Sequence, residues 1–327
     1  MEDGTAMNLL LTNKYTGMTL EIVKECVPPG FNLRFLSEQS QTALENEIGN
    51  VDYLLAGGRL KITREVLDNA ARLKMIQRSG VGLDALDLEA IKEKGIPLYV
   101  NQGVNAESVA EHALLLILAC LRKLPTVNHN TKNGVWKKQE QGIHTAELKG
   151  KTVGIVGMGN IGKTLVGLLQ PFHVSILYYN LFQLPSDFEQ ENNMRFVELN
   201  ELLENSDIVT IHCALTDETK HLLNRDTLSK MKDGAILINT ARGEIVDSTA
   251  LADALLNGKL AFAGLDVHEN EPIPEDYPLK TIDNVILTPH IGGVTADSFK
   301  CMMHDALRNI ECFAQGRLEE IKPYRYI

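Results

Sequence analysis

Three stretches in the second half of the chain end a short apolar run with a side chain that can do chemistry. In ILINTARGEIVD, residues 236 to 247, the run gives way to Arg242 and then at once to Gly243. GLDVHENEP, residues 264 to 272, carries Asp266, Glu269 and Glu271, and TPHIGG, residues 288 to 293, carries His290. A planar guanidinium at the mouth of a buried strand suits a carboxylate or a polarised carbonyl, often gripped by two parallel hydrogen bonds. A histidine exchanges a proton near neutral pH, and a neighbouring carboxylate orients its ring. Together they read as a hydride-transfer site: arginine for the carboxylate, histidine for the hydroxyl proton, glutamate behind the histidine. Each also has a plainer reading. Arg242 could serve a salt bridge, His290 a hydrogen-bonded core, and HENE a solvated turn.

Hydride transfer calls for a dinucleotide, and Gly157-Met158-Gly159-Asn160-Ile161-Gly162 fits G-x-G-x-x-G. The string alone is weak. Here it follows the strand-like TVGIV and opens the helix-like IGKTLVGLL, the context that a dinucleotide-binding turn requires. Glycines allow a tight turn and close backbone approach, and the helix N-terminus attracts a pyrophosphate. The ribose reader belongs at the end of the next strand, where Asn180 closes VSILYYN. Asn180 can hydrogen-bond ribose hydroxyls, but its neutral amide repels no 2′-phosphate. Leu181, Phe182 and Gln183 offer that phosphate no cation. The balance favours NAD and leaves NADP open.

Strand-like and helix-like segments must position these residues, and they alternate from end to end. MNLLLT, FNLRFL, VDYLLAG, LKMIQRSG and IPLYV come first, and KTVGIVGMG, VSILYYN, SDIVTIHC, GAILINT, AFAGLDV and NVILTPH form a second series of six strands. Such alternation predicts βαβ units and parallel sheets in an α/β fold. In NAESVAEHALLLILACLRKLP, Ser108 with Glu111 fits a capping box, so a helix is expected to start there and stop before Pro125. Residues 126–150 and PSDFEQENN read as polar and irregular, and TADSFKCMMHDALRNIECFAQG as a last helix.

The 327 residues suffice for about two domains. A net charge of −11 disfavours nucleic acid and anionic membranes as partners. Five scattered cysteines without a CxxC pair read as reduced thiols of a cytoplasmic protein. The start MEDGTAMNLLL carries no leader signal, and the apolar run ALLLILACL is too short to span a membrane. No Cys/His cluster suggests a metal, and hydride transfer needs none.

Taken together, SGVGLDALDL, VNAESVAEHALLLIL, ELKGKTVGIVGMGNIGK, HCALTDETKHLLN, NTARGEIVD, GLDVHENEP and LTPHIGG resemble, in order, the blocks of the D-isomer-specific 2-hydroxyacid dehydrogenase family. The resemblance runs over nearly the whole chain. It implies a Rossmann-type dinucleotide-binding domain, residues 103–293, inserted into a flavodoxin-like substrate domain made of residues 1–102 and a C-terminal helix in 294–327. The crossings near Asn101 and Gly293 would be hinges. It implies Arg242, Glu271 and His290 as the catalytic set, with the substrate carboxylate on backbone around Val81 and Gly82, and Asn105 and Ser108 nearby. Cofactor contacts would come from Gly157, Gly159, Asn160, Ile161, Gly162, Asn180, His212, Cys213, Thr240, Ala241, Asp266, Gly292 and Gly293. A homodimer would form through the helix at 108–124 and the loop to about 145. The substrate would be a small D-2-hydroxy acid or its 2-keto acid, of the 3-phosphoglycerate or glyoxylate/hydroxypyruvate class. Departures are Ala214 where the family usually has proline, His268 where Phe or Tyr is common, and Asn180 in place of an acid. The alternative is an NAD(H)-sensing, corepressor-like interaction protein that keeps the fold.

Overall fold

The computed structural model describes residues 6–58 and 60–327. The leader reading rests partly on residues 1–5, which lie outside those described. The chain divides into two compact units, one running to Asn105 and resuming at Val294–Ile327, the other spanning Ala106–Gly293.

The first unit holds β1 (Met7–Leu11), β2 (Phe31–Phe35), β3 (Tyr53–Ala56), β4 (Met75–Arg78) and β5 (Leu98–Tyr99). They form one sheet in the order β2-β1-β3-β4-β5, with every pair parallel. That is the flavodoxin-like order. Parallel strands are covered on both faces, so successive apolar residues face opposite cores. Leu10, Leu54, Ile76 and Leu98 join one cluster, while Leu9, Leu11, Leu55, Met75 and Tyr99 join the other. The second cluster is completed by the helix Ala296–Ala314, whose Phe299, Met303, Ala306, Leu307 and Ile310 recur at helical spacing. Thr295 and Ser298 cap its start reciprocally.

The second unit holds β6 (Thr152–Val156), β7 (Ser175–Tyr179), β8 (Met194–Phe196), β9 (Ile208–Ile211), β10 (Ala235–Asn239), β11 (Leu260–Leu265) and β12 (Val285–Leu287). Its sheet runs β12-β11-β10-β9-β6-β7-β8, all parallel. The order reverses between β6 and β9, and ligands of open α/β sheets collect at such a switch point, beyond the carboxyl ends of the strands.

Several elements differ from the sequence expectation. β8 is a seventh strand where six were expected; its three residues, MRF, sit among polar neighbours and carry no pattern. The helix expected from Ser108 spans Ala106–Leu121, and Ser108 is not its cap, because its hydroxyl donates to Gly292 O at 2.7 Å. Residues 126–150 are not irregular throughout: helices occupy Leu124–Lys132 and Lys138–Gly142, and Ser186–Glu191 is helical within the expected polar loop. None of these three helices buries a residue, so none shows an apolar stripe.

Truncating the C-terminal helix where it enters the core tests this packing. Phe299→Ala is expected to cost about 3–5 kcal/mol, read as a lower urea midpoint by circular dichroism.

Candidate active site

The site is built on the carboxyl ends of the second unit's strands. After β6 the chain turns at Gly157, φ +97°, a conformation that favours glycine. A Cβ there would lie 2.4 Å from Cys213 N, so the turn after β6 and the one after β9 press together at the switch point. A Cβ on Gly162 would meet Gly157 O at 2.5 Å, which seats the helix Asn160–Leu169 against the turn. Gly159 differs: a Cβ there would meet nothing within 4 Å, so its backbone faces open space. Open backbone at a helix N-terminus, beginning with Asn160 and Ile161, fits a pyrophosphate. Asn180 binds this turn, its Oδ1 accepting from Met158 N at 3.2 Å and its Nδ2 donating to Phe182 O at 3.1 Å.

The loop after β9 begins with His212 and Cys213. Thr210 Oγ1 lies 2.8 Å from His212 Nε2 and Thr240 Oγ1 3.5 Å from its Nδ1. Burial holds this imidazole down to about 4, so it is neutral at pH 7.

Beyond β10, Asn239 shapes the next turn. Its Oδ1 accepts from Ala241 N at 3.0 Å and its Nδ2 donates to Arg242 O at 2.8 Å. Arg242 donates from Nη1 to Ala241 O at 2.7 Å and is partly exposed. The glycine after it is explained by contact: a Cβ on Gly243 would fall 2.0–2.3 Å from the backbone of His268 and Glu269. The arginine turn and the acidic turn therefore touch backbone to backbone.

The acidic turn separates its carboxylates. Asp266 is buried, with Oδ1 accepting from Thr288 Oγ1 (2.5 Å) and Ile291 N (3.0 Å) and Oδ2 from Gly292 N (2.7 Å). His112 Nε2 lies 3.4 Å from Asp266 and 3.1 Å from Thr288 Oγ1. Burial opposes ionisation of Asp266, but these hydrogen bonds outweigh it and bring its pKa down to about 2. Glu269 accepts from His221 and from Ser248 N. Glu271 alone faces His290, with Oε2 2.9 Å and Oε1 3.1 Å from Nδ1, and its Oε1 also accepts from His268 N at 3.1 Å. Burial raises the Glu271 pKa; the hydrogen bonds and charge of His290, with the His268 amide, outweigh that and hold it below the ordinary value. It is ionised at neutral pH.

His290 takes φ +58°, rare for a residue with a Cβ. Its ring is half exposed, and Nε2 has no hydrogen-bond partner among the described residues. His268 packs edge-on against Tyr277, ring centroids 5.6 Å apart, and donates from Nε2 to Thr288 O at 2.9 Å. It is a packing residue.

In the first unit Val81 is exposed, and Gly82 O accepts from Arg78 Nε at 2.7 Å. Buried Arg78 also donates to Ala56 O and Gly57 O, so it fixes the SGVG loop. Arg78 carries the same sequence signal as Arg242, a charge closing an apolar run, and was not among the residues expected at the site. Asn105 is partly exposed and closes the first stretch of that unit.

A nucleotide turn at the switch point, with proton-handling side chains on the loops beside it, is the plan of a dinucleotide-dependent oxidoreductase. The family model for the D-isomer specific 2-hydroxyacid dehydrogenase NAD binding domain matches residues 114–292. Glyoxylate reductase of Thermofilum pendens is 40% identical over 301 residues, 91% of this chain and 89% of that protein. Hydroxypyruvate reductase of Thermotoga maritima is 39% identical over 253 residues, 77% and 81% of the two chains. The crystal structure of D-lactate dehydrogenase from Aquifex aeolicus, complexed with NAD and lactic acid, matches with a TM-score of 0.85 at 31% identity, covering 97% and 98% of the two chains. The chain belongs to the D-isomer specific 2-hydroxyacid dehydrogenase family.

Asp266 generates a pH-dependent prediction. Its pKa is depressed on folding, from 3.8 to about 2, so its contribution is full above pH 4 and fades as pH falls toward 2. Asp266→Asn is expected to lose about 2 kcal/mol at pH 7, with the gap narrowing in urea melts taken toward pH 2. A gap independent of pH would contradict this.

Proposed function

We propose that this chain reduces a small 2-keto acid of the glyoxylate or hydroxypyruvate class with NADH, and oxidises the D-2-hydroxy acid in reverse. The observation that carries the reading is the His290–Glu271 pair. Nδ1 is held by a carboxylate while Nε2 has no partner among the described residues, so the ring is oriented to pass a proton outward. When bound, the reduced nicotinamide supplies the hydride. His290 in its protonated form donates from Nε2 to the carbonyl oxygen. Glu271 stabilises the imidazolium and holds its tautomer. Arg242, with five N–H donors on a planar fork, receives the substrate carboxylate and stabilises charge developing on the carbonyl oxygen. Backbone groups at Val81 and Gly82, with Asn105 and Ser108, complete the carboxylate site in this reading. Gly157, Gly159, Asn160, Ile161 and Gly162 take the pyrophosphate. His212, Cys213, Thr240, Ala241, Asp266, Gly292 and Gly293 line the rest of the dinucleotide site. Residues 1–102 and 294–327 serve the substrate and 103–293 the cofactor.

Asn180 adds no negative charge at the ribose, so NADPH is expected to be used less well than NADH but not rejected. Relatives named as reductases favour the enzyme over a sensor. Five free thiols suit a reducing, cytoplasmic compartment.

Initial rates with NADH and NADPH across glyoxylate, hydroxypyruvate, phosphohydroxypyruvate and pyruvate test the proposal. Saturable turnover with glyoxylate or hydroxypyruvate is expected, and no turnover on any of the four would defeat it. His290→Ala is expected to lose 10²–10⁴-fold in kcat with NADH affinity retained; full activity would remove His290 from its role.

The proposed homodimer is supported by an apolar groove of about 560 Å³ on the second unit, lined by Leu115, Leu118, Leu124, Val127, Val135 and Trp136. Trp136 is 83% exposed. Trp136→Glu is expected to shift sedimentation from about twice the chain mass toward the chain mass; a wild-type monomer would refute the dimer.

A further inference from the structure

We infer that His221 and Glu269 are positioning residues, with His221 clamping the turn that carries Arg242 to the turn that carries Glu271. The inference rests on the catalytic reading above and names two groups that act through that set.

His221 is fixed at three points. Its backbone N–H donates to Glu244 O at 2.8 Å, on the arginine turn. Its ring Nε2 lies 2.8 Å from Glu269 Oε1, on the acidic turn two residues before Glu271. Its carbonyl accepts from Asn224 Nδ2 at 3.1 Å. Glu269 spends its other oxygen on Ser248 N at 3.1 Å, so neither partner can drift without breaking a second bond. Gly243 also packs against the backbone of His268 and Glu269.

The backbone of His221 carries the second observation. Its φ is +48°, a conformation that glycine adopts without cost and a residue with a Cβ does not. Five non-glycine residues, Lys123, His173, Asn193, His221 and His290, take such a φ among the described residues, and at His221 the side chain is in addition bonded to Glu269. The same pattern occurs at His290, φ +58°, which faces Glu271. HENEP thus feeds two imidazole–carboxylate pairs, Glu271 to the proton donor and Glu269 to the clamp. The Glu269 pair is half exposed and adds little to global stability. Its leverage is local, because it ties the backbones of the two turns whose spacing sets where Arg242 and Glu271 stand.

His221→Gly removes the ring while suiting φ +48°, so folding is preserved, and Glu269→Gln removes the charge at constant shape. For either variant, kcat for glyoxylate reduction is expected to fall about tenfold or more, since misplacement by about 1 Å can cost 10²-fold. KM for NADH should stay within about twofold and Tm within a few degrees. The double variant should be no worse than the worse single. Independently of turnover, a ¹³C NMR titration of the Glu271 carboxyl should move upward in His221→Gly, because a displaced carboxylate loses His290 and the His268 amide. Unchanged kcat and an unchanged Glu271 titration would overturn the inference. So would a fall in kcat accompanied by lost Tm and an unmoved titration, which marks a merely structural tie. If the wild-type chain reduces no keto acid, the proposed function fails by itself, and the Glu271 titration still decides the clamp.

Discussion

A carboxylate taken out of water is costly unless donors surround it, and Asp266 meets that condition with groups drawn from distant segments. Thr288 Oγ1, Ile291 N and Gly292 N donate to it, and His112 approaches from the helix Ala106–Leu121. The loop after β12 therefore cannot choose its own path. Two of its amides are pinned to the end of β11, and a Cβ on Gly292 would sit 2.9 Å from Asp266 Oδ2, so a larger residue there would have to displace that carboxylate. His290 lies inside this pinned loop. Its left-handed backbone and its ring direction toward Glu271 follow from the anchorage on either side.

The same device recurs around the sheet. Where a strand ends, backbone donors lose their ladder partners and need others. Asn180, one residue past β7, accepts from Met158 in the glycine turn. Asn239, the last residue of β10, accepts from Ala241 and donates to Arg242. Asp266, one residue past β11, serves the loop after β12. Short side-chain amides and carboxylates at strand ends let irregular loops stand rigidly on a regular scaffold, which is what a site needs if its groups are to be placed before substrate arrives.

Much of this was legible in sequence because strands buried on both faces are short, continuous and apolar, and because charged residues directly after them are anomalous. Arg242 and His290 stand out that way; among Asp266, Glu269 and Glu271 the residues themselves leave the choice open, and the family resemblance points to Glu271. What escaped has local or long-range causes. β8 is three residues long, and the helices at Leu124–Lys132, Lys138–Gly142 and Ser186–Glu191 have no apolar stripe to announce them. Ser108 and Glu111 matched a capping box, but a pattern at i and i+3 cannot tell a cap from a hydroxyl spent on Gly292, 184 residues away in the chain. The pairing of His221 with Glu269, 48 residues apart, is of the same kind. Residue type alone does not say which carboxylate in HENEP meets which histidine; the family resemblance puts Glu271 with His290, and only the fold pairs Glu269 with His221.

The assignment also explains how charge is distributed. The chain carries a net −11, yet its substrate class and its cofactor are anions. His212, beside the dinucleotide turn, cannot help as a cation, because burial keeps it neutral. In the proposed function the glycine turn would hold the pyrophosphate through backbone N–H groups and the helix N-terminus, which attract it without a formal positive charge. Such donors bind phosphate oxygens but lack the bidentate fork that a carboxylate favours. A permanent cation is useful at one place, beside the reacting carbonyl, and it must not wander. In the proposed function Arg242 answers that need. Its carbonyl is held by Asn239, one guanidinium nitrogen is bound to Ala241 O, and the glycine after it lets the turn lie directly against the backbone of the turn that carries Glu271.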